Sequence, residues 1–318
     1  FHMQALGAPF KTWADGAVTP LAEEIPELRR LNETDLEDRE GRRAILDDPN
    51  YAKSFKAMWM NGKNGWTLAR LKRKFNLEDY AFNRTLADMQ LERCPQTSWE
   101  GMDFQAVLDR VNEIKSGQYP PNMQESELQT VQKEFAWIED EGDFMLQMLR
   151  SFDKDLTWST TTANRDLKTV RELLMNPFLL PGFNDSGAHL TNMAFYDVNL
   201  RSLKLASQGG DRDVSYMVKR LTKDAADVFG VEGGTIDQGD VADLVLINPK
   251  KLAEYNGEAS TKRIYRKEFR HEQLVNRSNG VVELVMIGGQ SAWENDQFNA
   301  DLGQKPMGRL LRAVNSAR

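Results

Sequence analysis

Asn184, Asp185, Ser186 and His189 gather around Gly187 just where the apolar run 178–183 ends, the densest polar cluster set beside an apolar run in this chain. An aspartate in that position can ligate a metal ion and take a proton from water bound to it. The cation lowers the water's pKa toward neutrality, and the carboxylate completes the transfer. Gly187 and Ala188 are small enough to let a substrate approach the backbone. On spacing alone a blander account is simpler: Asp185 caps a following helix, and His189 is a hydrogen-bonded core histidine.

Other candidates carry less. Cys94 has no histidine near it in sequence and is best read as a small buried hydrophobe rather than a nucleophile. His2 sits at a terminus, and His271 lies in the charged segment RKEFRHEQLVNR, where a solvated surface is expected. Tyr196 and Asp197 follow the polar cluster closely enough to contact a substrate, and Arg201 could grip a substrate carboxylate with two hydrogen bonds. A solvent-facing helix surface is the more economical expectation for each of these three. The run KRIYRKEFRHE alternates charge with Tyr265 and Phe269, as one antiparallel strand with a solvated face would. GTIDQGD places Asp237 and Asp240 in a turn.

The elements that must position these residues can be read from breakers and periodicity. Gly7, Pro9, Gly16, Pro20 and Pro26 suit a strand end and a long loop better than a helix, so the chain is expected to enter from something already folded. Residues 35–47, and 51–60 after Pro49, read as two short amphipathic helices with Leu36, Ile45, Leu46, Phe55 and Trp59 inward. The stretch 66–75 reads as a strand or short helix and 76–80 as a turn. Helices are expected over 103–115 and 125–150 from apolar residues at helical spacing. Residues 157–162 are β-branched and strand-like, Asn164 or Asp166 can cap a helix reaching Leu174, and Pro177 stops it before the strand 178–183. Strand, helix and strand in that order signal βα units with parallel strands, whose active-site groups follow the strands. Beyond Gly230 short strands take over, at 242–248 and 281–289.

Composition sets the limits. Of 318 residues, 40% are hydrophobic and 28% charged, the balance of a globular protein with room for a core. A net charge of -7 argues against sequence-independent nucleic-acid binding, which needs surplus Lys and Arg to displace counterions. A single cysteine permits no intramolecular disulfide, no run approaches a bilayer span, and no secretory leader is evident, so a cytoplasmic location is expected, with no membrane partner.

The stretch GFNDSGAHL resembles the strand-eight motif of the amidohydrolase superfamily, in the branch of N-acyl-D-amino-acid deacylases, where it reads G-x-S-D-A-G-A-H. Asn184 replaces the usual serine and Ser186 the usual alanine, while Asp185, Gly187, Ala188 and His189 keep their places. Two further resemblances follow in order. Residues 221–249 are similar to the family's closing helix, turn and strand, and VVELVMIGGQ is similar to its last strand, with Gly288-Gly289 where Asn-Gly is usual. KPMGRLLR resembles the tail of one subgroup, and residues 20–60 resemble that subgroup more weakly.

The resemblance implies an α/β fold: the C-terminal part of a (β/α)8 TIM-like barrel with a helical insertion over 1–229, then a β-rich module over 230–318 forming part of a small β-sandwich. It implies hydrolysis of a C–N bond in a small amide or cyclic amide with one or two divalent ions, zinc by family habit. Asp185 would be both catalytic residue and metal ligand, with Ser186, Gly187 and His189 at the substrate. The family's His-x-His ligand pair does not occur in this sequence, whose histidines number 3. A complementary N-terminal chain carrying that pair, in a hetero-oligomer, is therefore expected as partner. A non-catalytic scaffold or regulatory subunit of the same fold is the alternative.

Overall fold

The structure is a computed structural model that describes residues 3–19, 25–60, 85–182, 184, 186–187 and 189–313. The expected strand or helix at 66–75 and the turn at 76–80 lie outside the described residues. The architecture is mixed α/β and divides into two compact units, one made of residues 11–162 and the other of 1–10 with 163–318.

In chain order, β1 (Met3–Ala5) opens the discontinuous unit and β2 (Phe10–Asp15) leads into the inserted one. There follow α1 (Pro26–Asn32), α2 (Arg39–Asp47), α3 (Pro49–Met60), β3 (Met89–Arg93), α4 (Phe104–Lys115), α5 (Glu125–Thr130), α6 (Glu141–Phe152) and β4 (Thr157–Ala163). Strands β2, β4 and β3 form one sheet in that order, with β3 and β4 antiparallel. The helices start where acidic side chains satisfy free backbone amides. Asp38 accepts from Gly41 N, Asp103 from Ala106 N, and Asp140 from both Gly142 N and Asp143 N.

The double cap at Asp140 explains why the helix expected over 125–150 is broken. After α5 the chain makes one wide π turn at Val131–Phe135 and restarts only at Glu141. The core of this unit is aromatic. Phe55, Trp59, Trp99, Phe104, Phe135 and Phe144 are buried, and Trp99 meets Phe135 edge-on with ring centres 5.5 Å apart. Leu46, Phe55 and Trp59 are buried as expected, whereas Ile45 and Leu36 are half-buried.

In the other unit, α7 (Leu167–Met175) is capped by Asp166, which accepts from Lys168 N, and ends one residue before Asn176-Pro177. It leads to β5 (Leu179–Pro181), shorter than the apolar run suggested, which pairs in parallel with β1 through Met3↔Leu179, Gln4↔Leu180 and Ala5↔Pro181. Thus β1, α7 and β5 make one βαβ unit, and residues 11–162 are inserted between its first strand and its helix. Helices α8 (Val198–Ser207), α9 (Asp211–Leu221) and α10 (Lys223–Phe229) follow. Val170 and Leu174 of α7 join Leu203 and Ala206 of α8, Met217 of α9 and Ala5 of β1 in one buried cluster. No closed barrel is present among the described residues.

The β-rich end has strands at the two expected places, 242–248 and 281–289, but the charged run expected as one antiparallel strand is broken by a 3-10 turn at Lys267–Phe269. It contains β6 (Leu244–Ile247), α11 (Pro249–Glu254), β7 (Thr261–Arg266), β8 (His271–Asn276), β9 (Val282–Ile287), β10 (Gln290–Glu294) and β11 (Gln297–Phe298). One sheet runs β11-β10-β9-β6, and β7 pairs with β8 as an antiparallel hairpin. Among the described residues no helix is long and apolar enough to cross a membrane.

Candidate active site

The polar cluster follows the C-terminal end of β5. Gly182 N donates to Ala5 O at 3.2 Å, extending the parallel pairing by one bond. The chain then leaves through Gly182 at φ 131°, a value that side-chain-bearing residues rarely adopt, with open space where a Cβ would stand. Because β1 and β5 are parallel, the segment after β1 and the cluster after β5 leave the sheet at the same end. That is the end where active-site loops collect in parallel α/β folds.

Ser186 is the structural centre of the cluster. Its backbone amide donates to Asn184 Oδ1 at 3.2 Å, and its hydroxyl donates to Asn184 O at 3.0 Å. The same hydroxyl accepts from Phe195 N at 2.7 Å, and Ser186 O accepts from the Tyr196 hydroxyl at 3.1 Å. Fully buried and bonded on all sides, Ser186 pins the loop rather than facing a substrate. Gly187 is exposed with nothing within 4 Å of a Cβ position, so it leaves open space beside the loop. His189 is half-buried, and its carbonyl accepts from Asn192 N and Met193 N at 3.1 and 3.0 Å. Leu274 N of β8 donates to Leu190 O at 2.8 Å, tying the far end of the loop to the hairpin. Asp185, Phe183, Ala188 and His2 lie outside the described residues.

Asp197 and Arg201 depart from the solvent-facing helix surface expected of them. Asp197 is 5% exposed, and its Oδ2 accepts from Arg201 Nε at 2.8 Å and from the Tyr255 hydroxyl at 2.5 Å. Burial, reinforced by the Asp197 carboxylate, pushes the Tyr255 phenol well above the ordinary tyrosine range. Gly257 packs so close that a Cβ there would stand 2.4 Å from both Arg201 Cζ and Asp197 Oδ2. Arg201 also lines a cavity of about 410 Å³ with Lys204, Glu254 and Tyr255, and none of Asn184, Ser186, Gly187 or His189 borders it. The i,i+4 spacing of Asp197 and Arg201 was visible in the sequence, but nothing near them announced Tyr255 as the third partner.

The remaining candidates settle simply. Cys94 is buried, and burial pushes its thiol up to about 12, which suits a packed hydrophobe. His271 is half-buried at the start of β8, with Nδ1 3.1 Å from Glu272 O. Asp240 accepts from Thr235 Oγ1 at 2.6 Å and from Asp237 N at 2.9 Å, closing the expected turn. Among the described residues, no group of three or more His, Cys, Asp or Glu side chains stands close enough to hold a metal ion.

No family model matches the chain, and no solved structure matches it. The chain is similar to Uncharacterized protein Rv2913c of Mycobacterium tuberculosis (strain ATCC 25618 / H37Rv), 29% identical over 327 residues, covering 98% of this chain and 46% of the relative. The same identity and coverage hold for Uncharacterized protein Mb2937c of Mycobacterium bovis. The chain thus spans just under half the length of the curated relatives it matches.

Proposed function

We propose that this chain is the C-terminal part of a metal-dependent amidohydrolase, with Asp185 as the proton-transferring carboxylate at the rim of a (β/α)8 barrel that other strands complete. The observation that carries the reading is the loop after β5. A motif resembling the superfamily's strand-eight signature follows a strand that pairs in parallel, and Ser186 binds Asn184, Phe195 and Tyr196 around it. A loop fixed by hydrogen bonds is the support that a catalytic side chain needs to keep its position.

On this reading Asp185 takes a proton from the attacking water and returns it to the leaving nitrogen as the C–N bond breaks. Gly187 leaves room for the amide, and His189 shapes the pocket wall. The described residues do not by themselves form a metal cage. A divalent ion, zinc by the resemblance, would be held by Asp185 together with imidazoles outside this chain, on a complementary segment or chain that includes His-x-His.

Native mass spectrometry of the purified assembly, with metal analysis, tests the reading. A complementary polypeptide bearing His-x-His and stoichiometric zinc is expected; a metal-free homo-oligomer lacking amide hydrolysis would instead support a scaffold or regulatory subunit.

A further inference from the structure

Arg201 carries hydrogen-bonding capacity that the fold does not use. A guanidinium donates from Nε and from both terminal nitrogens. In Arg201 only Nε has a partner among the described residues, Asp197 Oδ2 at 2.8 Å. The terminal nitrogens are reached by solvent, although the side chain as a whole is only 14% exposed. Three neighbours hold the group in place. The Tyr255 hydroxyl fixes Asp197, Gly257 lies where a Cβ would stand 2.4 Å from Arg201 Nη2, and Lys204 donates to Tyr255 O. A planar fork held in this way loses little freedom on binding, and its terminal donors match the two oxygens of a carboxylate.

The cavity that Arg201 lines lies wholly within the unit made of residues 1–10 and 163–318. Its volume of about 410 Å³ falls in the range of about 300–1,000 Å³ usual for small-molecule pockets. Pro9, Leu167 and Leu205 supply apolar wall. Four charged side chains border it, Arg201 and Lys204 against Glu254 and Glu258. That balance leaves no positive surplus for a phosphate dianion, whose oxygens the two carboxylates would repel. It suits a ligand with one charge of each sign beside an apolar body. Glu254 also reaches Lys251 at 3.4 Å, but both side chains are mostly exposed, and a pair of that kind is weak enough to yield.

We propose that this cavity binds a free amino acid with an apolar side chain, its carboxylate on the Arg201 fork and its ammonium toward Glu254 and Glu258. The site is separate from the loop after β5, because Asn184, Ser186, Gly187 and His189 do not border it. The inference therefore does not depend on the hydrolase reading.

Isothermal titration of the full chain tests it, with leucine, methionine and phenylalanine as probes in both enantiomers. Saturable one-to-one binding of at least one of them is expected. For leucine as the binder, leucinamide, which lacks the carboxylate, and isocaproate, which lacks the ammonium, should each bind at least about tenfold more weakly. Arg201→Lys keeps a cation for Asp197 but loses the fork, and should weaken binding at least about tenfold. Glu254→Gln combined with Glu258→Gln, both at exposed positions, should weaken the amino acid and spare isocaproate. Circular dichroism checks that each variant folds, and the glutamine pair keeps the test open should Arg201→Lys fail to fold. No saturable binding by any probe would overturn the proposal. So would isocaproate or inorganic phosphate binding as tightly as the amino acid, or full affinity in both folded variants.

Discussion

The Tyr255 hydroxyl and the Asp197 carboxylate meet at 2.5 Å inside the protein, 58 residues apart in sequence, on the same oxygen that Arg201 Nε reaches at 2.8 Å. The other carboxylate oxygen, Oδ1, is buried with no hydrogen-bond partner among the described residues. The carboxylate is therefore held from one side only, and removing a donor there should be costly. Tyr255→Phe is expected to destabilise the protein by about 1–3 kcal/mol, measured by urea unfolding. A loss within experimental error would show that the carboxylate finds another donor.

The same pair sets a response to alkali. Burial, then Asp197, raises the Tyr255 phenol in the folded state, so its contribution is complete below the unfolded tyrosine value of about 10 and is lost as pH rises beyond it. Tyr51, raised by burial and by Glu27, behaves likewise. Phenolate absorbance should show these two tyrosines ionising last or only on unfolding, and Tyr255→Phe should flatten the alkaline loss of stability.

Acid probes a different site. Glu127 is fully buried; burial, the largest influence, pushes its carboxyl up, but hydrogen bonds from Arg110 and Trp99 together outweigh it and leave the net shift downward. Its contribution is therefore present above the unfolded glutamate value of about 4.3 and fades as pH falls through the lower folded value. Glu127→Ala, which strands Arg110, should cost about 3 kcal/mol near neutrality and less in acid. A pH-independent difference between variant and wild type would contradict this assignment.

How much of this was legible beforehand depends on the distance over which each feature is determined. The cap of α7 by Asp166 and the stop before Pro177 are written in adjacent residues and appear where the sequence places them, whereas the charged run expected as one strand forms the β7–β8 hairpin. The break between α5 and α6 depends on Asp140 outcompeting apolar periodicity, a contest that counting apolar positions does not weigh. Asp197 looked like a surface residue because its burial is set by Tyr255 and Gly257, far along the chain. The polar cluster was found by type and spacing, but Ser186's part as the bonded centre of the loop needed the positions of Phe195 and Tyr196.

That part can be tested without any substrate. Ser186→Ala removes the acceptor for Phe195 N, a buried amide, and should lower stability by about 1–3 kcal/mol in chemical denaturation. Ser186→Thr keeps a hydroxyl and should recover part of the loss only where the buried site admits the extra methyl. If Ser186→Ala unfolds at the same denaturant concentration as wild type, the loop is not held through this residue.

Cys94 offers a check on the core of the inserted unit. With its thiol pushed up to about 12 by burial, very little of it is ionised at pH 8, and the side chain is closed to solvent. Iodoacetamide should leave the native protein unmodified and alkylate it fully in denaturant, read by intact mass. Rapid native modification would mean that this core opens readily.

The central claim turns on Asp185. In the assembly reconstituted with its complementary segment, wild-type protein should hydrolyse a member of a panel of N-acyl-D-amino acids, hydantoins and lactams, and Asp185→Asn should slow that hydrolysis by about 10²–10⁴-fold with the assembly itself unchanged. Hydrolysis at the wild-type rate by Asp185→Asn would contradict the account, as would an intact, zinc-loaded assembly in which the wild-type protein cleaves none of the panel.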